Sequence, residues 1–258
     1  MVASGEISPA RAAERLRMQP YDDIDFAKID TNRQLRTGHG EVIFGIGKTP
    51  EQTALIMKRM AESEALSLPI IATKSGPAHY EAVRTTLGSD LLKERGLKLE
   101  YYEQAKLIVI KADGSTPEPQ GRRIAVVSAG TADIPIAEEA AITIGLYGHN
   151  VARIYDVGVA GLHRLLDKLD EIRACSVIVV VAGMEGALAS VVAGLVSVPV
   201  IAVPTSVGYG VTLDGLTPLF AMLGGCSLGV GVMNIDNGFG AGHLASIILE
   251  AIEADREK

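Results

Sequence analysis

Aromatic side chains are scarce in this sequence: of 258 residues none is Trp, four are Phe and seven are Tyr. A core of any size must therefore be built from Val, Ile, Leu and Ala. Cysteine is rarer still, with two residues, Cys175 and Cys226. They make neither a disulfide framework nor a zinc spacing. No apolar run approaches the roughly 20 residues that span a bilayer. The stretch Ser176–Ala182 is too short, and VVAGLVSVPVIAVP is broken by Ser197, Pro199 and Pro204. No apolar segment follows a basic one near the N-terminus, so a secretory signal is not expected. The formal net charge of -7 argues against nonspecific binding to nucleic acid or anionic membrane. The 28 glycines have no period, which excludes collagen. A soluble, cytoplasmic protein is the expectation, long enough for one large or two modest domains.

The clearest boundary is ADGSTPEPQGR, residues 112–122, whose prolines and glycines continue neither helix nor strand. It divides a smaller α/β domain, residues 1–115, from a second domain, residues 122–258. In the first, a short helix is expected over Pro9–Met18 and another over Ile29–Arg36, with Arg33 and Arg36 on one side. Glu41–Gly45 reads as a strand, followed by GIGKTPEQ. There Thr49 as N-cap, Pro50 in the first turn and Gln52 three residues on fit a helix start. Lys48 beside that positive end suits a phosphate or carboxylate. A nucleotide-hydrolysing P-loop is rejected, because its first glycine falls on Val42. Leu68–Thr73 is a second strand, and a long helix to about Arg95 leads to extended segments over Leu97–Ala105 and Lys106–Lys111.

The second domain repeats strand and helix. Strands are expected at Arg123–Ser128, Val151–Tyr155, Ser176–Val181, Val198–Val203 and Gly229–Ile235. Helices are expected at Ile136–Leu146, in the segment Asp156–Cys175, from GMEGAL onward, at Thr217–Leu223 and at His243–Ala254. Ser176–Val181 is continuously apolar and should be central, as parallel strands covered on both faces are. Five such units predict a three-layer αβα sandwich with a mostly parallel sheet and right-handed crossovers.

Parallel sheets place ligands at the carboxyl ends of their strands. Polar residues recur there: Ser128 and Asp133, Asp156, Glu185, Thr205 and Ser206, then Asn234 and Asp236. Any one of them also serves as a cap or turn residue, but jointly they favour a polar pocket. In SAGTADIP, Gly130 and Thr131 can offer backbone N–H groups to an anion. His163 and Arg164 lie in a first helical turn and are candidates for an anion contact. Glu185 is either a capping carboxylate or a proton carrier. Cys175 reads as a buried small hydrophobe. Cys226 follows two glycines near a strand start, which places it across from the rim, yet a thiolate there would be a good nucleophile.

Residues from about Arg122 onward resemble the aminoimidazole ribonucleotide carboxylase/mutase family of purine synthesis, on SAGTADIP and AGMEGALASVVAGL. GMEGAL stands where that family has a histidine-bearing segment. Over residues 28–250 the chain resembles the pyridinium-3,5-biscarboxylic acid mononucleotide synthase family, on GIGKTPEQ together with GGCSLGVGVMNIDNGFGAG. That resemblance implies carboxylation of the pyridinium ring of nicotinic acid adenine dinucleotide at C5 and hydrolysis of its phosphoanhydride. CO2 or bicarbonate would be co-substrate, Mg2+ a cofactor, and the assembly a homo-oligomer, an octamer in the purine family. It implies Cys226 as nucleophile, Glu185 as proton acceptor and Asp236 as a metal-holding or water-orienting carboxylate. Ser128, Thr131 and Asp133 would grip the ribose phosphate end, with Asn234, His163 and Arg164 as further substrate contacts. Lys48, Arg33 and Arg36 would meet the diphosphate or the nicotinate carboxylate. The alternatives are a purine-type mutase and a nucleotide-binding protein without turnover.

Overall fold

A computed structural model describes residues 2, 4–17, 21–63, 69–113 and 121–254. Met18, Leu68 and residues 114–120 of the expected boundary lie outside the described residues. The chain divides into two compact units, Met1–Ser115 and Thr116–Lys258.

The N-terminal unit contains α1 (Pro9–Arg17), β1 (Asp22–Asp23), β2 (Lys28–Ile29), α2 (Arg33–Thr37), β3 (Val42–Phe44), α3 (Pro50–Glu62), β4 (Ile70–Thr73), α4 (Pro77–Glu94), β5 (Leu97–Tyr102) and β6 (Leu107–Ala112). Its four-stranded sheet runs β3-β4-β6-β5, parallel between β3 and β4 and antiparallel elsewhere. The core includes Ile43, Met57, Ile70, Val83, Ile108 and Ile110. The α3 start forms as its sequence dictates: Thr49 accepts from Gln52 N and Gln52 returns a bond to the Thr49 backbone. The helix expected over Ile29–Arg36 is shorter. Ile29 is buried in β2 paired with Asp22, so α2 begins only at Arg33 and ends at Gly38 in the left-handed region. Gly88, at φ 65 and ψ 164, kinks α4.

The C-terminal unit contains β7 (Arg123–Ser128), α5 (Ile134–Leu146), β8 (Asn150–Ile154), α6 (Leu162–Asp167), α7 (Leu169–Arg173), β9 (Val177–Ala182), α8 (Ala187–Ala193), β10 (Val200–Pro204), α9 (Leu216–Leu223), β11 (Val230–Val232) and α10 (Gly238–Ala254). Five parallel strands lie in the order β11-β10-β9-β7-β8. β9 is central and all six of its residues are buried, as its uninterrupted apolar run requires. Alternate side chains feed opposite faces. Val127, Ile178, Val180 and Ala202 pack with Leu165, Leu188 and Met222 from α6, α8 and α9. Val126, Val179, Val181 and Ile201 pack with Ile144 of α5 and Ala245 and Leu249 of α10. The result is the expected αβα sandwich preceded by a smaller α/β unit.

Local backbone explains where elements end. The helix expected from Gly183 starts only at Ala187, because Met184 (φ 52) and Gly186 (φ 68) are left-handed. The segment Asp156–Cys175 divides into α6 and α7 at Lys168. The small residues Gly238 and Gly242 are used inside the unit, where α10 lies against α5. A Cβ on Gly238 would sit 2.2 Å from the Ile136 carbonyl oxygen, and one on Gly242 2.6 Å from that of Ala140. Both obstacles are backbone. Gly238→Ala is therefore expected to cost about 2–3 kcal/mol by overpacking, read as a fall of several degrees in Tm. An unchanged melt would contradict this close approach.

Candidate active site

The loops after β7, β8, β9 and β10 meet at the carboxyl edge of the second sheet. They enclose a cavity of about 380 Å³. Its polar lining comes from Gly130, Thr131, Asp133, Asp156, Arg164 and Glu185. Apolar and small residues such as Ala129, Val159, Met184, Leu188 and Val207 form much of the remainder, the usual build of a small-molecule site.

Asp133 ties the rim together. It is 4% exposed. Its Oδ1 accepts from Thr205 Oγ1 at 2.7 Å and its Oδ2 from Gly130 N at 2.9 Å. The Gly183 N–H donates to it as well, so one carboxylate joins three loops. Gly183 lies so close to the β10 loop that a Cβ would come 2.3 Å from the Val207 carbonyl oxygen. In Asp133→Asn, Oδ1 keeps its Thr205 bond, but an amide NH2 then faces the Gly130 N–H donor. The variant is expected to lose about 1–3 kcal/mol, measured by denaturant unfolding.

Burial pushes the Asp133 carboxyl above its ordinary 3.8, against the opposing pull of those hydrogen bonds. The folded chain thus holds this proton more tightly than the unfolded chain. That contribution is complete below 3.8 and is lost as pH rises through the raised value. The stability advantage over Asp133→Asn is expected to shrink across that window.

Glu185 and Thr131 line the cavity and are exposed. Arg164 lines it too, donating from Nη1 to Asp156 Oδ2 at 2.6 Å. Ser128 does not line it: fully buried, its Oγ accepts from Asp156 N at 3.2 Å. His163 is exposed on α6 and lines no part of it. Asp236 meets the β10 loop, as the shared-rim expectation has it, but as a tether. Its two oxygens accept from Ser206 N at 2.9 Å and Ser206 Oγ at 2.6 Å. Asn234 accepts from the Ile235 N–H through its own Oδ1. Neither lines the cavity.

In the N-terminal unit, Lys48 Nζ donates to Phe44 O at 2.9 Å. Arg33 pairs with Glu41 at 3.4 Å, and Arg36 pairs with Asp30, whose carboxyl it holds below the usual range. Both arginines are engaged by carboxylates of their own unit.

Cys175 is buried against the Glu171 carbonyl, and burial raises its thiol pKa. Cys226 is exposed. It sits in the loop before β11, beside α8, where Ser227 Oγ donates to Ser190 O at 2.8 Å. Within one chain it does not line the cavity. Two large apolar side chains close to it in sequence are exposed, Leu223 at 62% and Leu228 at 90%.

Comparison with known proteins accounts for both units. Residues 21–113 match the LarB/PurE-like N-terminal domain, and residues 123–257 match AIR carboxylase. The chain belongs to the LarB family. Its second unit is an AIR carboxylase domain, so the chain is a member of a carboxylase/mutase-type family. A relative over nearly the whole length is the uncharacterized protein MJ0165 of Methanocaldococcus jannaschii. It is 40% identical over 249 residues, 95% of this chain and 93% of its own. Asp156 is expected at the rim, but its pairing with Arg164 is what sequence reasoning missed. Its signal was an acid directly after a strand with an arginine in the next helical turn, and only the fold brings the two together. Among the described residues no helix is long and apolar enough to cross a membrane.

Proposed function

We propose that this LarB-family chain carboxylates the pyridinium ring of nicotinic acid adenine dinucleotide at C5 and hydrolyses the phosphoanhydride. The products are pyridinium-3,5-biscarboxylic acid mononucleotide, a nickel-pincer cofactor precursor, and AMP. The observation that carries the reading is the cavity of the AIR carboxylase domain. It presents an exposed carboxylate, Glu185, together with the cation Arg164. The purine-type mutase fits less well, because GMEGAL puts Glu185 where that reaction uses histidine.

A pyridinium ring is electron-poor and cannot attack CO2. In this reading the Cys226 thiolate forms a C–S bond beside C5, and the ring becomes an enamine-like dihydropyridine. C5 then bonds to CO2, delivered as such or from bicarbonate. Glu185 takes the C5 proton, the C–S electron pair returns to sulfur, and aromaticity is restored. No net oxidation or reduction occurs, and covalent catalysis replaces one inaccessible step by feasible ones. Cys226 reaches the ring by movement of its glycine-flanked loop or from another copy. The exposed apolar side chains around it support a homo-oligomer, an octamer by resemblance.

Mg2+ suits the diphosphate oxygens. Among the described residues no group of three or more His, Cys, Asp or Glu is placed to hold a metal ion. Both Asp236 oxygens accept from Ser206, so this carboxylate already serves as a loop tether. The deciding experiment incubates the protein with the dinucleotide, Mg2+ and labelled bicarbonate, followed by mass spectrometry. Label in the mononucleotide with equivalent AMP is expected; neither product would overturn the reading.

A further inference from the structure

Asp156 is a carboxylate of the cavity whose position is set by a chain of specific contacts and which in turn holds a cation. Its backbone is left-handed, at φ 59, a conformation Asp tolerates better than most residues but still at a cost. Ser128, buried at the end of β7, holds it there by accepting from Asp156 N at 3.2 Å, and the next amide, Val157 N, donates to Ser128 O at 3.1 Å. The carboxylate so placed takes Arg164 Nη1 at 2.6 Å. The guanidinium lies on bare backbone at Gly161, where a Cβ would be 2.7 Å from Nε and 3.1 Å from Nη2. Among the described residues Asp156 is the one hydrogen-bond partner of the Arg164 guanidinium. A guanidinium has five N–H donors in a rigid fork, so one contact aims the group and leaves donors for the cavity.

We propose that Ser128 and Asp156 are positioning residues that hold Arg164 as the oxyanion receptor of this cavity, a claim that rests on the functional reading above. Ser128 then acts from beneath the site rather than by gripping the ligand. Asp156 neutralises the cation before a ligand binds and fixes its fork, so that an incoming carboxylate or phosphate meets an oriented donor pair. Specificity for an anionic ligand comes from Arg164; its rigidity comes from the β7 and β8 loops.

A double-mutant cycle on binding tests this, with nicotinic acid adenine dinucleotide and nicotinamide adenine dinucleotide as probes, titrated calorimetrically without bicarbonate. Asp156→Asn keeps a side chain that accepts the left-handed backbone and removes the charge. Arg164→Ala is expected to weaken binding roughly 10- to 100-fold, the worth of a charge-assisted hydrogen bond. Asp156→Asn is expected to weaken it about 5- to 10-fold with Arg164 present and to have no effect in the Arg164→Ala background. Ser128→Ala should follow Asp156→Asn in direction. A loss confined to the acid dinucleotide assigns the ring carboxylate to Arg164; an equal loss for both assigns a phosphate. Asp156→Glu, which restores charge, should recover part of the affinity, whereas a merely structural role would not respond to charge. Equal losses from Asp156→Asn in both backgrounds, or none in either, would overturn the proposal while leaving the functional reading standing. Failure of the wild-type protein to bind either probe would overturn both.

Discussion

Cys226→Ala is expected to abolish carboxylation, with turnover falling on the order of a thousandfold or more, while Tm stays near that of the wild type. The two halves of this expectation have separate grounds. The side chain is exposed and fills no core, so its removal forfeits little packing. The ring chemistry, by contrast, has no route to a nucleophilic C5 without prior addition. Intact-protein mass spectrometry with dinucleotide and no bicarbonate should show an adduct on the wild-type peptide containing Cys226 and none on the variant. A Cys226→Ala protein that carboxylates normally would remove the covalent step. Cys226→Ser separates size from nucleophilicity: it keeps the shape, and it should be as inactive as the alanine variant.

The second large effect belongs to Glu185. Glu185→Gln is expected to lower kcat by about a hundred- to ten-thousandfold, the usual worth of a positioned proton acceptor, with the dinucleotide KM little changed. The side chain is exposed at the cavity, so the substitution has no buried contact to break. Its signature differs from that of Cys226. Addition of sulfur and attack on CO2 precede loss of the C5 proton. The glutamine variant should therefore accumulate a carboxylated adduct on Cys226, seen as labelled carbon on the protein. Rapid turnover, or an adduct that never carries label, would place the proton elsewhere. Assigning Glu185 to helix capping instead predicts a lower Tm and unchanged kinetics.

Much of the scaffold was legible in the residues themselves. The apolar run Val177–Ala182 has no polar face, so it had to lie inside a sheet covered on both sides, and it does. Thr49, Pro50 and Gln52 mark the α3 start because a capping box is local chemistry, complete within four residues. Errors came where backbone geometry is unusual or partners are distant. Met184 in the left-handed region delays α8, and nothing about methionine announces that. Ile29 reads as a helical residue until Asp22 pairs with it across the short hairpin. Gly238 and Gly242 carry no local signal of the neighbour they meet, and only the fold brings α5 against them.

The candidate site divides along the same line. Residue order alone determined that polar loops follow parallel strands, that Glu185 and Arg164 stand beside helix starts, and that Cys226 precedes a strand rather than following one. Those are properties of short stretches, and short stretches report hydrophobic period, caps and turns. Only the tertiary structure decided what each polar group does. Asp133 became a buried strut because Thr205, far along the chain, donates to it. Asp236 became the tether of Ser206, and Ser128 the support of Asp156. Hydrogen bonds and burial depend on which loops the sheet brings side by side, and the sheet order β11-β10-β9-β7-β8 is a property of the whole chain.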